Sequence, residues 1–295
     1  MSRSAPIAAS VTEQPPRATD HGTRAAVTHA VRPALFFVCL ALAFGFPAPS
    51  AAPMARPIVV VGTNQSFNWS GYMQGSLEKG TSFHAVAADW IVPKAKPHRR
   101  GEAEYSSSWI GIGGGCLDSE CKLFDATLIQ AGIGHDVDAS GNADYYAWWE
   151  TIPAPLIRVD LPVSAGDRVH VEIVEAATAG IWTITILNRD TAGSFSITLP
   201  YTSTYGSAEW VIETPLVIAE SGVVTVGPMP DLARVHFDSA TANGEPAGLV
   251  IGEQIELVDF DLSPIAAPSA PDKDADGFND CTYHRSCPAP GGDLK

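Results

Sequence analysis

The sequence predicts an all-β fold, a two-sheet antiparallel sandwich, and three observations carry that prediction. Apolar and polar residues alternate with period two in segment after segment between 66 and 261. Turn-forming residues recur between those segments, as at Ala165-Gly-Asp167, Ser140-Gly-Asn142 and Ala242-Asn-Gly244. No stretch repeats its apolar residues at the three-to-four spacing of an amphipathic helix, and 26 Gly with 23 Pro disfavour a helical bundle.

Taken in order, the predicted strands are 83–92, 108–112, 127–131, 145–150, 168–175, 182–188, 195–201, 209–213 and 233–238. In 168–175, Val169, Val171 and Ile173 share one face. In 182–188, Trp182, Ile184 and Ile186 do the same. Trp148 and Trp149 are adjacent, so a strand must send them to opposite faces. Glu209 and Glu213 share a face, with Trp210 turned away from it. Many short antiparallel strands build one sandwich domain of about 200 residues rather than two domains.

The ends of the chain read differently. Residues 34–46 are an apolar run preceded by Arg24 and Arg32 and followed by small residues at 47–52. The run is shorter than the roughly 20 residues of a membrane-spanning helix, so 1–52 is expected to be a secretory signal and leader. The leader holds Arg3, Arg17, Arg24 and Arg32 against Glu13 and Asp20, so its removal moves the net charge from −15 to −17. Such acidity excludes a nucleic-acid partner and an anionic membrane surface. The expected organisation is then a short segment 53–66, the sandwich 67–262, a Pro/Ala linker 263–271 and an acidic tail 272–295.

Export would remove Cys39 and leave two close pairs, Cys116/Cys121 and Cys281/Cys287, which suits two local disulfides. A zinc site is the alternative, but the spacings are not CxxC and no His adjoins the first pair. In the tail, Asp272, Asp274, Asp276 and Asp280 fall at positions 1, 3, 5 and 9 of a calcium loop, with Gly277 at position 6. Position 12 is Tyr283 rather than a carboxylate, so the tail reads as an incomplete calcium loop or as a solvated acidic tail.

No GxSxG elbow, HExxH helix or aspartyl D-T/S-G motif is present. Aromatic strand segments with a few polar residues stand out instead: Asn68-Trp-Ser-Gly-Tyr72, Ser108-Trp-Ile-Gly-Ile112, Tyr145-Tyr-Ala-Trp-Trp-Glu150 and Ala208-Glu-Trp-Val-Ile-Glu213. With Gln130 followed by Gly132, Trp90-Ile-Val-Pro93 and Ala165-Gly-Asp167, they run in the order found in the eqolisins, the glutamic peptidases, which this sequence resembles from about 68 to 242.

That resemblance implies a concanavalin A-like (jelly-roll) sandwich and a secreted, pepstatin-insensitive acid endopeptidase with no catalytic cofactor. It places Gln130 and Glu209 on the family's catalytic pair, and Trp109, Trp148 and Glu150 among its substrate-binding residues. A glutamate can act as general base on water and then as acid toward the leaving amine. A glutamine amide offers donors that no pH removes. The sequence departs from the family at Ile112-Gly-Gly-Gly115, where an acidic residue is usual. It departs again after the glutamine, where Gly134 and His135 precede Asp136. The expected partner is a polypeptide substrate, bound by a monomer. Two rival readings use the same face for sugars: a glycoside hydrolase with Glu150 and Glu209 as its carboxylate pair, and a non-catalytic carbohydrate-binding module.

Overall fold

A computed structural model describes residues 57–62, 64–118, 120–218, 224–283 and 286–294. The expected leader, with Cys39, lies outside them. Alternating apolar residues produce strands almost throughout. Helix among the described residues is limited to one turn at Ser76–Lys79 and a 3-10 turn at Ile251–Glu253.

The front sheet is built from β3 (Trp69–Gly75), β5 (Ser107–Gly113), β6 (Leu128–Val137), β7 (Ala143–Thr151), β8 (Ile157–Arg158), β12 (Ser207–Glu213) and β17 (Gln254–Val258). Its spatial order is β17-β3-β12-β5-β6-β7-β8, all antiparallel. The back sheet holds β1 (Val60–Gly62), β2 (Gln65–Ser66), β4 (Ala85–Ile91), β9 (Arg168–Glu175), β10 (Ile181–Asn188), β11 (Gly193–Pro200), β15 (Arg234–Ala242), β16 (Glu245–Pro246), β18 (Pro264–Pro268) and β19 (Phe278–Thr282). It runs β11-β10-β9-β4-β15-β19-β18-β17-β2-β1, with β16 folded back on β15. Strand β17 belongs to both sheets and closes one side of the sandwich. A separate hairpin pairs β13 (Leu216–Ile218) with β14 (Val224–Val226).

The principal core lies between the sheets. Val169, Val171, Ile173, Trp182, Ile184 and Ile186 are fully buried there, on the faces their alternation assigned. Trp210 joins them from the front sheet and donates its Nε1–H to the Ala87 carbonyl at 2.9 Å. Each such large side chain contributes about 2–3 kcal/mol by burial. A second cluster sits on the other face of the front sheet and gathers Trp69, Met73, Trp109, Leu128, Trp148 and Val211. The adjacent pair Trp148 and Trp149 divides between the two clusters, as the period of a strand dictates.

The C-terminal part differs from the expectation. Within 263–271, expected as a free linker, β18 pairs with both β17 and β19. The prolines fall at its two ends, where a missing N–H costs least. In the expected tail, Phe278 is fully buried and stacks on Phe237 at 4.9 Å. A Pro/Ala composition read as linker is thus a short strand, held because its neighbours bury Phe278. Both expected disulfides are present, Cys116–Cys121 and Cys281–Cys287.

Candidate active site

Strand register assembles a site on the outer face of the front sheet. Glu209 of β12 lies opposite Gly111 of β5, Gly111 opposite Gln130 of β6, and Gln130 opposite Glu150 of β7. Four strands thus put three polar side chains and one glycine in a single cross-strand row. Adjacent strands lie about 4.8 Å apart, so the Cα atoms of Glu209 and Gln130 are separated by about 10 Å, with Gly111 contributing no side chain between them. The next row on this face is Val211, Trp109, Gly132 and Trp148, and the one after it Glu213, Ser107, Gly134 and Tyr146. Glycines at 111, 132 and 134 leave room on this face for the side chains of Trp109, Leu128 and Tyr146, which pack over them.

Those glycines are required by contact. A Cβ on Gly111 would lie 2.8 Å from Trp109 Cζ3, and one on Gly132 would lie 2.5 Å from Trp109 Cβ. One on Gly134 would enter the Tyr146 ring. Trp109 is fixed in turn by its Nε1–H, which donates to Glu213 Oε2 at 2.9 Å, and by edge-on contact with Trp69 at 4.9 Å.

The electrostatics of the row are those of a buried site. Gln130 donates its amide N–H to Glu150 Oε2 at 2.6 Å, while its Oε1 has no partner. Neither carboxylate oxygen of Glu209 has a hydrogen-bond partner either, although the residue is fully buried. Burial pushes the Glu209 pKa well above the usual carboxylate range; the Ser207 hydroxyl nearby works against that rise and the Asp125 charge adds to it. Burial likewise raises Glu150 to about 7, against the lowering effect of the Gln130 hydrogen bond. The indole N–H groups of Trp69 and Trp148 are also unpartnered. Unsatisfied buried polar atoms are rare in folded proteins, and here several gather on one face, as they do where water or substrate supplies the missing partners.

At one end of these rows the acidic residue moved along the strand has its own setting. Asp136 accepts from the Tyr146 hydroxyl at 2.9 Å and lies 3.7 Å from Arg158, whose guanidinium stands 3.4 Å from the centre of the Tyr146 ring. Burial raises its pKa to about 6. At the other end, the loop after β5 turns over Glu209, and a Cβ on Gly115 would come within 2.5 Å of Glu209 Oε1, so a side chain there would push the carboxyl aside.

The structure thus unites all five residues singled out in the sequence: Gln130 and Glu209 in one row with Glu150, and Trp109 with Trp148 in the next. Sequence reasoning missed the part played by Gly111, Gly132 and Gly134. Their even spacing from Trp109 and Gln130, two residues for Gly111 and Gly132 and four for Gly134, was the available signal.

The calcium expectation is corrected. Carboxylate oxygens of Asp272 and Asp276 converge with Asp238 of β15, all within 4.8 Å of one another. Asp280 belongs to no such loop: it points into the core, where the Ser70 hydroxyl donates to it at 2.9 Å. Asp274 lies beside Asp272 but outside the converging group, and is exposed. A regular strand over Phe278–Thr282 replaces the second half of the encircling loop, which carries Asp280 away from the other three.

The sandwich thus carries a buried carboxylate and a buried amide in one row across a glycine. The family model described as the Peptidase A4 family matches residues 67–259, and the chain belongs to that family, the eqolisins or glutamic peptidases. Among solved structures, scytalido-glutamic peptidase with a transition state analog inhibitor aligns at 19% identity and TM-score 0.54, over 73% of this chain and 98% of that one. The same enzyme with a peptide based transition state analog aligns at 20% and 0.52 over the same shares. Aspergilloglutamic peptidase from Aspergillus niger aligns at 23% and 0.46, over 62% of this chain and 99% of that one. The likeness to scytalido-glutamic peptidase shows a shared fold. Comparison with curated proteins by sequence gives no match.

Proposed function

We propose that the protein is a secreted acid endopeptidase in which Glu209 and Gln130 carry the chemistry. The observation that supports this most is their shared row across Gly111, with unpartnered oxygens on both side chains. A water between them would donate to the Glu209 carboxylate. Glu209 takes its proton as the water oxygen attacks the scissile carbonyl carbon, and the carbonyl π electrons move to oxygen. The Gln130 amide donates to that oxyanion. The tetrahedral intermediate collapses with cleavage of the C–N bond as protonated Glu209 returns its proton to the leaving amine.

The raised pKa of Glu209 comes from its burial. Donors from water or substrate stabilise the carboxylate and lower it, while the protonated form suits the second half of the reaction. Trp109 and Trp148 wall the bound polypeptide, and Glu150 holds the Gln130 amide. Every role falls to a side chain, so the scheme calls for no cofactor. Two disulfides agree with an oxidising compartment outside the cell. We take the working unit to be a monomer.

A glycoside hydrolase reading is disfavoured by the same register. Glu150 and Glu209 are three strands apart, about 14 Å between Cα atoms, with Gln130 and Gly111 between them. Digestion of denatured protein at acid pH, with and without pepstatin, beside a polysaccharide assay, tests the proposal. Cleavage that resists pepstatin and is lost in Glu209→Gln is expected. Full activity in that variant, or sugar hydrolysis without proteolysis, would overturn it.

A further inference from the structure

Strand β11 is an edge that the fold leaves open. Its eight residues, Gly193–Pro200, pair in unbroken register with β10, and among the described residues no strand pairs with its other side. An exposed edge offers unpaired backbone groups to any strand that meets it, and proteins blunt such edges by shortness, charge, proline or bulges. The other edges of this sandwich are blunted in those ways. Strand β8 has two residues, one of them Arg158; β16 has two, Glu245 and Pro246; β1 has three and a register shift against β2. Strand β11 has none of these devices. Gly-Ser-Phe-Ser-Ile-Thr-Leu-Pro carries no charge and no bulge, and its proline is the last residue.

The hydrogen bonding of β10 says which backbone groups are free. The Tyr201 N–H donates to the Gly180 carbonyl at 2.8 Å, one step beyond the Ile181–Pro200 pair. On the opposite side of β10, the Ala176 N–H donates to the Ile181 carbonyl at 2.7 Å. Alternation then turns the N–H and C=O groups of Phe195, Ile197 and Leu199 toward β10, and those of Ser194, Ser196 and Thr198 away from it. The side chains agree with an open rim. Phe195, Ile197 and Leu199 point inward yet are only half-buried, whereas Trp182, Ile184 and Ile186 beside them on β10 are fully buried. On the outer face Ser194, Ser196 and Thr198 are exposed, with Thr198 hydrogen-bonded to Thr183 at 2.9 Å and Ser196 to Thr185 at 3.3 Å.

We propose that β11 is a homodimerisation edge, pairing antiparallel with β11 of a second copy about a two-fold axis at Ile197. The strand's own pattern selects this partner. In that register Ile197 meets Ile197, Phe195 meets Leu199 and Ser196 meets Thr198, so apolar faces apolar and hydroxyl faces hydroxyl on both faces of the joined sheet. Ser196 and Thr198 form the hydrogen-bonded pairs, using the groups left free by β10. Ser194 donates to the carbonyl of Pro200, whose missing N–H falls at the end of the pairing. No charge on β10 or β11 opposes the contact. The back sheets of two copies become one continuous sheet, and the half-buried Phe195, Ile197 and Leu199 lose their exposed rim. The candidate site lies on the outer face of the front sheet, so it stays complete in each copy and the single chain remains the catalytic unit. The inference does not depend on the peptidase reading.

Light scattering after size-exclusion chromatography, from about 1 to 100 µM, tests it, because one strand pair buries less than a standard interface and so associates weakly. The wild type is expected to approach twice the mass of one chain as concentration rises. Ser196→Pro removes an N–H that has no partner within the chain, and Ser196→Lys/Thr198→Lys places like charges across the axis. Both variants are expected to weaken association at least tenfold while keeping the wild-type circular dichroism and melting temperature. Thr183→Lys/Thr185→Lys puts the same charges one strand inward and is expected to leave association unchanged. A wild type that stays monomeric at 100 µM overturns the inference. So does a dimer that survives both edge variants, or association that continues past the dimer, since a two-fold pairing closes on itself.

Discussion

Asp280 predicts how stability depends on pH. The residue lies in β19, fully buried, with the Ser70 hydroxyl on Oδ1 and no partner on Oδ2. Burial pushes its pKa from 3.8 to about 8, the Ser70 and Cys281 hydrogen bonds offsetting only part of the rise. The folded protein therefore keeps this proton up to about pH 8, whereas the unfolded chain releases it near pH 4. Between those values the folded state binds more protons, so stability is fully present below about pH 4 and falls as pH rises toward 8. A shift of about four units corresponds to a loss on the order of 5 kcal/mol across the window. That is comparable with the whole stability of many domains, about 5–15 kcal/mol.

Asp280→Asn removes the ionisation while keeping the shape and the acceptor for Ser70. Urea unfolding followed by circular dichroism at pH 4, 6 and 8.5 measures the effect. Wild type and variant should differ by no more than about 1 kcal/mol at pH 4, since both side chains are then neutral. At pH 8.5 the variant should be the more stable by several kcal/mol, by the same linkage. Parallel pH profiles for the two proteins would refute the reasoning, because the decline would then originate elsewhere. Glu150, raised to about 7, and Asp136, raised to about 6, contribute with the same sign, so the variant's profile should be flatter and not flat.

Three further outcomes follow from the site. Gln130→Ala should lower kcat by about 10²–10³-fold with little change in melting temperature, the loss typical of one oxyanion donor. Glu150→Gln should keep activity within a few-fold below pH 5, where Glu150 with a pKa of about 7 is already neutral, and should differ from wild type only as pH rises past that value; a pH–rate profile checks this. Gly132→Ala would bring a Cβ to 2.2 Å from the Ser108 carbonyl oxygen, so it should destabilise the fold by about 1–3 kcal/mol in urea unfolding and lower activity by displacing Trp109.

The all-β fold was legible because alternation is a local property of the sequence. A strand such as Ile181–Asn188 states which side chains go inward without reference to anything else. The same rule divided Trp148 from Trp149 and set Glu209 against Trp210. Register between strands is not local. That Gly111 stands between Glu209 and Gln130 depends on how β12, β5 and β6 slide past one another, and alternation leaves that open by any even number of residues. The ordered family motifs supplied the pairing that periodicity could not. The calcium loop shows the opposite error: a correct spacing of Asp272, Asp274, Asp276 and Asp280 assumed a loop, while Phe278 drew the second half into a strand and turned Asp280 into the core.

The acidic composition and the buried carboxyls bear on the working pH in different ways. The chain has 18 Lys and Arg against 33 Asp and Glu. Once acid neutralises the carboxylates, few fixed cations remain to repel one another, so the surface tolerates low pH. The same surface is also tolerable at neutral pH, where a net charge of −15 keeps the protein soluble. Composition alone therefore selects neither range. For stability Asp280 and Glu150 do select, because each is buried in a setting that penalises its charged form, and neither can lose its proton in the folded state without cost. The surface permits acid, and the interior favours it.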